Sequence, residues 1–143
     1  MSEKIIGYTT GVFDLFHVGH LNILKKSRSM CDYLIVGVSS DALVADYKGI
    51  TPFIPFEERA DIIRSCRYVD EVVEQEDRDK IAAFKKFKFN VMFVGDDWKG
   101  NSLFIEVENY LEKHSARVKY LPYTKTTSST MLRNILHKTI ENK

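Results

Sequence analysis

Apolar runs alternate along this chain with stretches in which apolar residues recur every three or four positions. The apolar runs are short and rich in β-branched and aromatic residues, which predicts buried strands at residues 5–10, 33–38, 69–73, 91–94 and 118–121. The periodic stretches have the spacing of helices with one buried face, at residues 20–30, 56–66, 79–87, 102–114 and from residue 128 onward. Residues 39–41 favour a short helical turn, and residues 46–52 have the composition of an exposed loop.

The alternation of strands with helices predicts an α/β, Rossmann-like fold: a doubly wound, parallel, five-stranded sheet with helices on both faces. Right-handed crossovers give the strand order 3-2-1-4-5, so the first and fourth strands flank the point where the order reverses. Ligands of such sheets bind outside the carboxyl ends of the strands at that point. We therefore expect two loops, residues 11–20 and 95–100, to face each other across one crevice.

Composition narrows the class of protein. The 143 residues, 44% of them hydrophobic, suffice for one domain, which we expect to span residues 1–143. The 21 basic and 20 acidic residues leave a net charge of +1, so no overall field attracts nucleic acid or a membrane. Cys31 and Cys66 lack the spacing of metal or redox motifs, and no apolar run approaches membrane-spanning length. We expect a soluble, cytoplasmic protein that binds small molecules.

The most informative stretch is residues 11–20, GVFDLFHVGH, at a predicted strand-to-helix junction. His17 and His20 can donate ring N–H groups to phosphate oxygens and stabilise charge on a departing pyrophosphate. Gly19 permits close approach of the backbone, and free amides at a helix start favour an anion. Spacing alone leaves two other interpretations open: one histidine caps the helix while the other packs on the sheet, or the pair binds a metal.

A second candidate is the hydroxyl-rich segment at residues 124–130, TKTTSST, before the last predicted helix. One hydroxyl suffices as the N-cap of that helix, yet six of these seven residues carry one. The surplus hydroxyls, with free amides and Lys125, favour phosphate binding at this helix start.

Individual charged residues could serve the same crevice, and each also has an ordinary structural explanation. Lys48 could reach phosphates from its loop or be a solvated surface lysine. Arg59 and Arg67 have fork-shaped guanidinium groups that suit phosphates, but arginines on a helix are more often surface charges. Asp14 could bind Mg²⁺, orient a histidine ring or cap a turn.

The polar turn after the fourth predicted strand has the sequence GDDWKG at residues 95–100. Asp96 and Asp97 could bind Mg²⁺, a ribose or a base edge, or simply close the turn. Trp98 could cover a nucleobase or belong to the core.

These motifs resemble those of a known family. GVFDLFHVGH is similar to the GxFDxxHxGH signature of the cytidylyltransferase-like nucleotidyltransferases, which include adenylyltransferases. RYVDEV at residues 67–72 and GDDWKG at residues 95–100 resemble, more narrowly, the glycerol-3-phosphate cytidylyltransferases. Residues 123–130 occupy the place of that family's RTxGISTT motif. The resemblance covers nearly the whole chain.

The resemblance implies roles for individual residues. The catalytic group would comprise His17, His20, Lys48 and Arg67, with the histidines at the triphosphate. Lys48, Arg59 and Arg67 would bind or support the substrate phosphate, and Asp14 would help to hold Mg²⁺. The nucleotide-binding residues would be Gly11, Val12, Phe13, Asp14, Gly19, Gly95, Asp97, Trp98, Thr124, Ser128, Ser129 and Thr130. The resemblance also implies a homodimer.

Three positions depart from the family's motifs. Tyr123 stands where the last motif begins with arginine, Thr126 replaces its glycine, and Val12 stands where threonine is usual. The lost guanidinium is a bidentate donor whose charge, but not geometry, Lys125 could replace. These departures bear on the acceptor and leave the triphosphate site intact.

The expected function is transfer of CMP from CTP, bound with Mg²⁺, to a small phosphorylated alcohol, with glycerol 3-phosphate first among the acceptors. Direct in-line attack on the α-phosphorus needs no nucleophilic side chain, so positioning and charge stabilisation suffice. One alternative keeps the fold but changes the base or acceptor, as in an adenylyltransferase or a ribitol- or ethanolamine-phosphate cytidylyltransferase. Another is a non-catalytic nucleotide-binding module.

Overall fold

A computed structural model describes residues 4–122 and 126–142 of the chain. Its strands are β1 Ile6–Gly11, β2 Tyr33–Ser39, β3 Glu71–Gln75, β4 Val91–Gly95 and β5 Arg117–Leu121. Its α-helices are α1 Val18–Ser29, α2 Asp41–Lys48, α3 Phe56–Arg64, α4 Lys80–Phe87, α5 Ser102–Glu112 and α6 Ser129–Glu141. A short 3-10 helix, Asp96–Trp98, follows β4.

The sheet is parallel throughout and has the order β3-β2-β1-β4-β5, which confirms the predicted fold class. β1 pairs with β2 along its whole length, but it pairs with β4 only at Gly7↔Val91 and Tyr8↔Met92. Beyond these pairs the hydroxyl of Thr9 donates to the carbonyl oxygen of Phe93 at 3.0 Å. β1 and β4 thus part toward their carboxyl ends, where the strand order reverses and a crevice is expected.

Apolar side chains cover both faces of the sheet. One buried cluster contains Leu24 of α1 and Val36 of β2. The second contains Ile35, the neighbour of Val36 in β2, with Phe104 and Leu111 of α5. Successive strand residues fall in different clusters because side chains alternate across a sheet, so the helices pack on both faces as predicted.

α2 is longer than the sequence pattern predicts. The Ser40 hydroxyl accepts from the amide of Leu43 to cap its start, and Gly49 ends it with a φ of 66°. Glycine supplies this left-handed conformation at a helix end without a Cβ penalty. Lys48 is therefore the last helical residue rather than part of a loop, and the helix fixes where it stands.

The buried face of α3 includes a charged residue. Ala60 and Ile63 are buried, whereas Ile62 is 44% exposed. Arg59 is instead 1% exposed. A guanidinium group thus takes an interior position, where it requires hydrogen-bond acceptors.

The helices are short. The longest, α6 with 13 residues and α1 with 12, fall well below membrane-spanning length. No helix within residues 4–122 and 126–142 is long and apolar enough to cross a membrane.

Candidate active site

The loop between β1 and α1 carries the signature residues. Two of its non-glycine residues have left-handed backbone, Phe13 with a φ of 56° and Leu15 with a φ of 54°. Such conformations cost about 1–3 kcal/mol each and persist only where the surroundings impose them. The neighbouring contacts that impose them here involve Asp14 and Arg59.

The two histidines form the N-terminal cap of α1. The Nδ1 of His17 accepts from the main-chain N–H of Gly19 at 3.0 Å. The Nδ1 of His20 accepts from the main-chain N–H of His17 at 3.3 Å. The sequence allowed one histidine to cap the helix, and in the structure both rings do so. Their hydrogen bonds to main-chain N–H groups set the orientation of the rings.

This capping fixes the tautomer of both rings. A nitrogen that accepts a hydrogen bond carries no proton, so in the neutral ring the proton lies on Nε2. The Nε2 atoms of His17 and His20 each lie 3.3 Å from the hydroxyl oxygen of Ser129. That hydroxyl itself donates to the carbonyl oxygen of Asp14 at 2.7 Å. Two N–H donors thus converge on one point at the start of α6.

Burial keeps both rings neutral. It lowers the pKa of His20 to about 4, with a smaller lowering by His17 and an opposing effect of Asp14. Burial also lowers the pKa of His17. At neutral pH the pair therefore offers N–H groups without positive charge, and these can bind phosphate oxygens as hydrogen-bond donors.

The ring of His17 leaves no room for a side chain at Gly19. A Cβ at this position would lie 2.7 Å from Cε1 and 3.0 Å from Nδ1 of His17. Any other residue would displace the ring that caps the helix. The predicted role of Gly19 is thus explained by side-chain packing as well as by access of the backbone to an anion.

The carboxylate of Asp14 joins three segments of the chain. One carboxylate oxygen accepts from the amide of Phe53 at 2.8 Å and the other from the amide of Ile54 at 2.9 Å. The carboxylate also pairs with the guanidinium of Arg133, and Asp14 is 2% exposed. Protein donors thus contact both carboxylate oxygens, and the role of Asp14 as a Mg²⁺ ligand stays a prediction.

Arg59 fixes the signature loop from inside the protein. Its Nε donates to the carbonyl oxygen of Ile54 at 2.8 Å, and one terminal nitrogen donates to those of Val12 and Ser39 at 2.7 and 2.8 Å. Its other terminal nitrogen pairs with Asp41 at 2.5 Å. The prediction that Arg59 contacts the substrate is thus wrong, because protein groups surround its buried guanidinium. Arg59 instead positions the signature loop and the start of α2.

Arg67 is not brought to the crevice of its own chain. It lies between the end of α3 and the start of β3 at Glu71, at the amino-terminal edge of the sheet. The histidines follow the carboxyl end of β1, at the opposite edge. The guanidinium of Arg67 lies 5.8 Å from the ring centroid of Tyr68. Within one chain, the predictions that Arg67 is catalytic and binds substrate are therefore not supported.

Two cavities open at the carboxyl edge of the sheet. The first, the sheet-edge cavity, has a volume of about 290 Å³ and lies at the ends of β1 and β4. The second, the α6 cavity, has a volume of about 560 Å³ and includes Asp14, His17 and Ser129. The two share Val12, Phe13, His20, Ile23 and Lys48. His20 and Lys48 thus stand where the cavities meet.

The nucleotide-binding predictions at the β4 end fall in the sheet-edge cavity. Gly95, Asp97 and Trp98 line it. Trp98 is 40% exposed rather than part of the core, and its ring centroid lies 5.6 Å from that of Phe104. An exposed indole beside the cavity provides a surface on which a planar base can stack.

The residues of the hydroxyl-rich segment have different roles. Ser128 caps α6 through a hydrogen bond from the amide of Met131, and Ser129 meets the histidines. Thr127 and Thr130 line the α6 cavity. Thr124, with Tyr123 and Lys125, lies outside the described residues.

Three cations at these cavities were not among the predicted site residues. Arg133 lines the α6 cavity, with its guanidinium 4.9 Å from the ring centroid of Phe53. Lys80 and Arg78 line the sheet-edge cavity. The sequence contains an indication that Arg133 belongs to the site, because it lies one helical turn after Ser129 and thus on the same face of the last helix. Arg78 and Lys80 follow β3 at the sheet edge where ligands bind.

These residues do not form a protein-built Mg²⁺ site. No group of three or more His, Cys, Asp or Glu side chains that could hold a metal ion occurs in the described part of the chain. Asp14 is engaged with protein donors, and of the described residues Asp97 is the one acidic side chain lining the sheet-edge cavity. Mg²⁺ usually keeps several waters and binds through one or two carboxylates plus substrate phosphates.

Known proteins are similar to this chain in sequence and in fold. The profile of the family described as "Cytidylyltransferase-like" matches residues 8–135. A glycerol-3-phosphate cytidylyltransferase of Bacillus spizizenii is 34% identical over 132 residues, 92% of this chain and 95% of the relative. An FAD synthase of Pyrococcus abyssi is 43% identical over 88 residues, 61% of this chain and 60% of the relative.

A solved structure, that of the lipopolysaccharide core biosynthesis protein from Thermoplasma volcanium, has a TM-score of 0.71 with 27% identity, covering 87% of this chain and 100% of that one. The family profile spans the signature loop, the 3-10 turn after β4 and the start of α6. The chain therefore belongs to the cytidylyltransferase-like family.

Proposed function

We propose that this protein transfers CMP from CTP to a small phosphorylated alcohol, with glycerol 3-phosphate the first acceptor to test, and releases pyrophosphate. The observation that carries the proposal is the convergence of the two Nε2 atoms of His17 and His20 at the start of α6. The relative in Bacillus spizizenii, which matches nearly from end to end, supports CTP and glycerol 3-phosphate as substrates.

In the proposed reaction a phosphate oxygen of the acceptor attacks the α-phosphorus of CTP in line with the bond to the leaving group. The new oxygen–phosphorus bond forms as the bridge between the α- and β-phosphates breaks, and pyrophosphate carries away the electron pair. Negative charge therefore grows on the leaving oxygens. Neutral N–H donors of fixed orientation stabilise that charge without having to reorganise.

The two cavities suggest where each part of the substrates would bind. The β- and γ-phosphates would occupy the α6 cavity, where Arg133 and His17 offer donors. The α-phosphorus would lie at the junction, beside His20 and Lys48. Lys48 adds a positive charge there, and burial and Arg133 lower its pKa.

Mg²⁺ enters the proposal as part of the substrate, chelated by CTP. The described residues do not supply a cage for it. The chain's own residues would bind, orient and neutralise the phosphates.

The test is a pyrophosphate-release assay with CTP and glycerol 3-phosphate. Release should require both substrates and yield a CDP-alcohol in equal amount. CTP binding without pyrophosphate release for any phosphorylated polyol would instead support the non-catalytic nucleotide-binding module.

A second candidate is adenylyl transfer on the same fold. It is favoured by the similarity to an FAD synthase, whose product contains adenine rather than cytosine. Turnover with ATP but not with CTP would decide for it, and the assay above should therefore include both nucleotides.

The proposal also includes a cytoplasmic location and a homodimer. Reduced thiols support the first, since Cys31 and Cys66 are both free. Family resemblance supports the second, and light scattering coupled to size-exclusion chromatography would measure it directly.

A further inference from the structure

Three cations surround one end of the sheet-edge cavity. Lys48 ends α2, Lys80 begins α4, and Arg78 lies in the loop before α4; all three line the cavity. The Nζ of Lys80 donates to the Thr10 hydroxyl at 3.0 Å, which holds this ammonium at the end of β1.

Arg78 is close enough to both lysines to affect their pKa values. Burial lowers the pKa of Lys80 to about 8, and Arg78 is the next cause of that lowering. Arg78 also contributes to the lowered pKa of Lys48, after burial and Arg133. Arg78 thus disfavours the charged form of both lysines, as expected where cations are gathered to meet an anion.

Among the residues that the structure describes, acidic groups offset the charge at this end of the cavity only in part: Asp14 raises the pKa of Lys48, but as the smallest of four causes. Within residues 4–122 and 126–142, the one acidic residue that lines the cavity is Asp97, at the other end beside Trp98. The acidic residues that follow β3 line a separate cavity on the other side of Lys80. Of these, Asp77 raises the pKa of Lys80, but its effect is the smallest of the three causes.

The aromatic ring at this end is already occupied. The guanidinium carbon of Arg78 lies 4.5 Å from the centroid of the Tyr47 ring, and the Nζ of Lys48 lies 5.6 Å from it. A substrate ammonium binds well where aromatic faces are free. Here the aromatic face is shared by protein cations, so an incoming ammonium would meet like charge instead.

We infer that this end of the cavity selects the acceptor by charge, with Arg78 as the specificity-determining residue. It takes the phosphate of an uncharged or acidic phospho-alcohol, such as a polyol phosphate, and rejects phosphorylated amino-alcohols. The inference rests on the proposed function and adds to it the class of acceptor and the residue that discriminates. Like charges placed together at a recognition site oppose the wrong ligand.

The test compares two acceptors that differ in charge, glycerol 3-phosphate and ethanolamine phosphate. The measured quantity is the ratio of their kcat/KM values with CTP. The wild type should favour glycerol 3-phosphate by about 100-fold or more, the scale expected of like-charge rejection. Arg78→Glu should reduce this ratio at least about tenfold, or 1.4 kcal/mol, and Arg78→Gln should reduce it less.

The control is Arg117→Glu, the same charge change at an exposed position on β5. It should leave the ratio unchanged, whereas a general loss of positive charge would move both variants alike. Arg78 is itself exposed on its loop, so its substitution should not impair folding. A ratio near one in the wild type, or an unchanged ratio in Arg78→Glu, would overturn the inference.

Calorimetric binding of the two acceptors in the presence of CMP separates this inference from the proposed function. Preferential binding of glycerol 3-phosphate without pyrophosphate release would uphold the selectivity and refute the transfer reaction. Equal affinity for both acceptors, or binding of neither, would overturn the selectivity even if transfer occurs.

Discussion

The imidazole rings of His17 and His20 stack with 4.0 Å between centroids and 29° between planes. Two protonated rings at this distance would repel each other, and each Nδ1 instead accepts a main-chain N–H. The stack therefore holds two neutral rings whose N–H groups point to the same place. The signature motif, on this structure, builds a pair of neutral donors rather than a pair of cations.

Replacing either histidine by asparagine should separate capping from catalysis. Asparagine can still accept the capping amide, but it lacks the Nε2 donor. We expect pyrophosphate release to fall by about 10²–10³-fold in each variant, with the free energy of unfolding changed by less than about 1 kcal/mol.

The matched control is His114→Asn, which replaces an exposed histidine beside Tyr110, away from both cavities. Its activity should equal that of the wild type. Near-normal release by both His17→Asn and His20→Asn would exclude the proposed role of the pair.

The depressed pKa of His20 makes stability depend on pH in a defined window. The unfolded ring titrates at 6.5 and the folded ring at about 4. Between these values the unfolded chain binds more protons, so the free energy of unfolding falls as pH is lowered from 6.5 toward 4. Urea titrations of wild type and His20→Asn should show a shallower fall in the variant; parallel curves would contradict the assignment.

The Asp14–Arg133 pair should contribute strongly to stability because it is nearly buried. The exposed fraction of the side chain is 2% for Asp14 and 14% for Arg133. Removing one partner of a buried pair costs about 3–5 kcal/mol, so Arg133→Met should lower the free energy of unfolding by an amount near that range.

The comparison variant is Arg64→Met, which breaks the pair with Asp61, whose side chains are 58% and 74% exposed. Exposed pairs contribute about 0–1 kcal/mol. Denaturant titration should therefore rank the two variants clearly, and equal losses would show that α6 is not anchored through Asp14.

Gly19→Ala should impair activity more than stability. Alanine favours helix over glycine by about 1 kcal/mol, but its Cβ would lie 2.7 Å from the ring of His17 and must displace it. We expect a large fall in kcat with little change in the unfolding midpoint. Ser29→Ala at the far end of α1 serves as control, and a normal kcat in Gly19→Ala would show that the ring tolerates displacement.

The sheet could be predicted from sequence because its determinants are local. Each strand is a short apolar run, and the crossover rule then orders the strands. The same reasoning placed the signature loop and the 3-10 turn at one crevice, which the sheet order supports.

The residue roles that failed depend on contacts between distant segments. Arg59 has the helical position of a surface arginine, and nothing nearby in sequence indicates that Val12 and Ser39 offer it carbonyl oxygens. Asp14 likewise finds its partners in Ile54 and Arg133, far along the chain. Propensity and periodicity describe single elements, whereas these roles arise only once the elements have packed.

The contact between Asp14 and Arg133 joins residues 119 positions apart. All five strands are complete by Leu121, so the sheet contains no residue of α6. Without α6 the histidines would be capped and oriented but would lack Ser129 and the second wall of their cavity. The sheet and the cap of α1 are thus built without the last helix, whereas the proposed triphosphate site is complete only when that helix packs against Asp14.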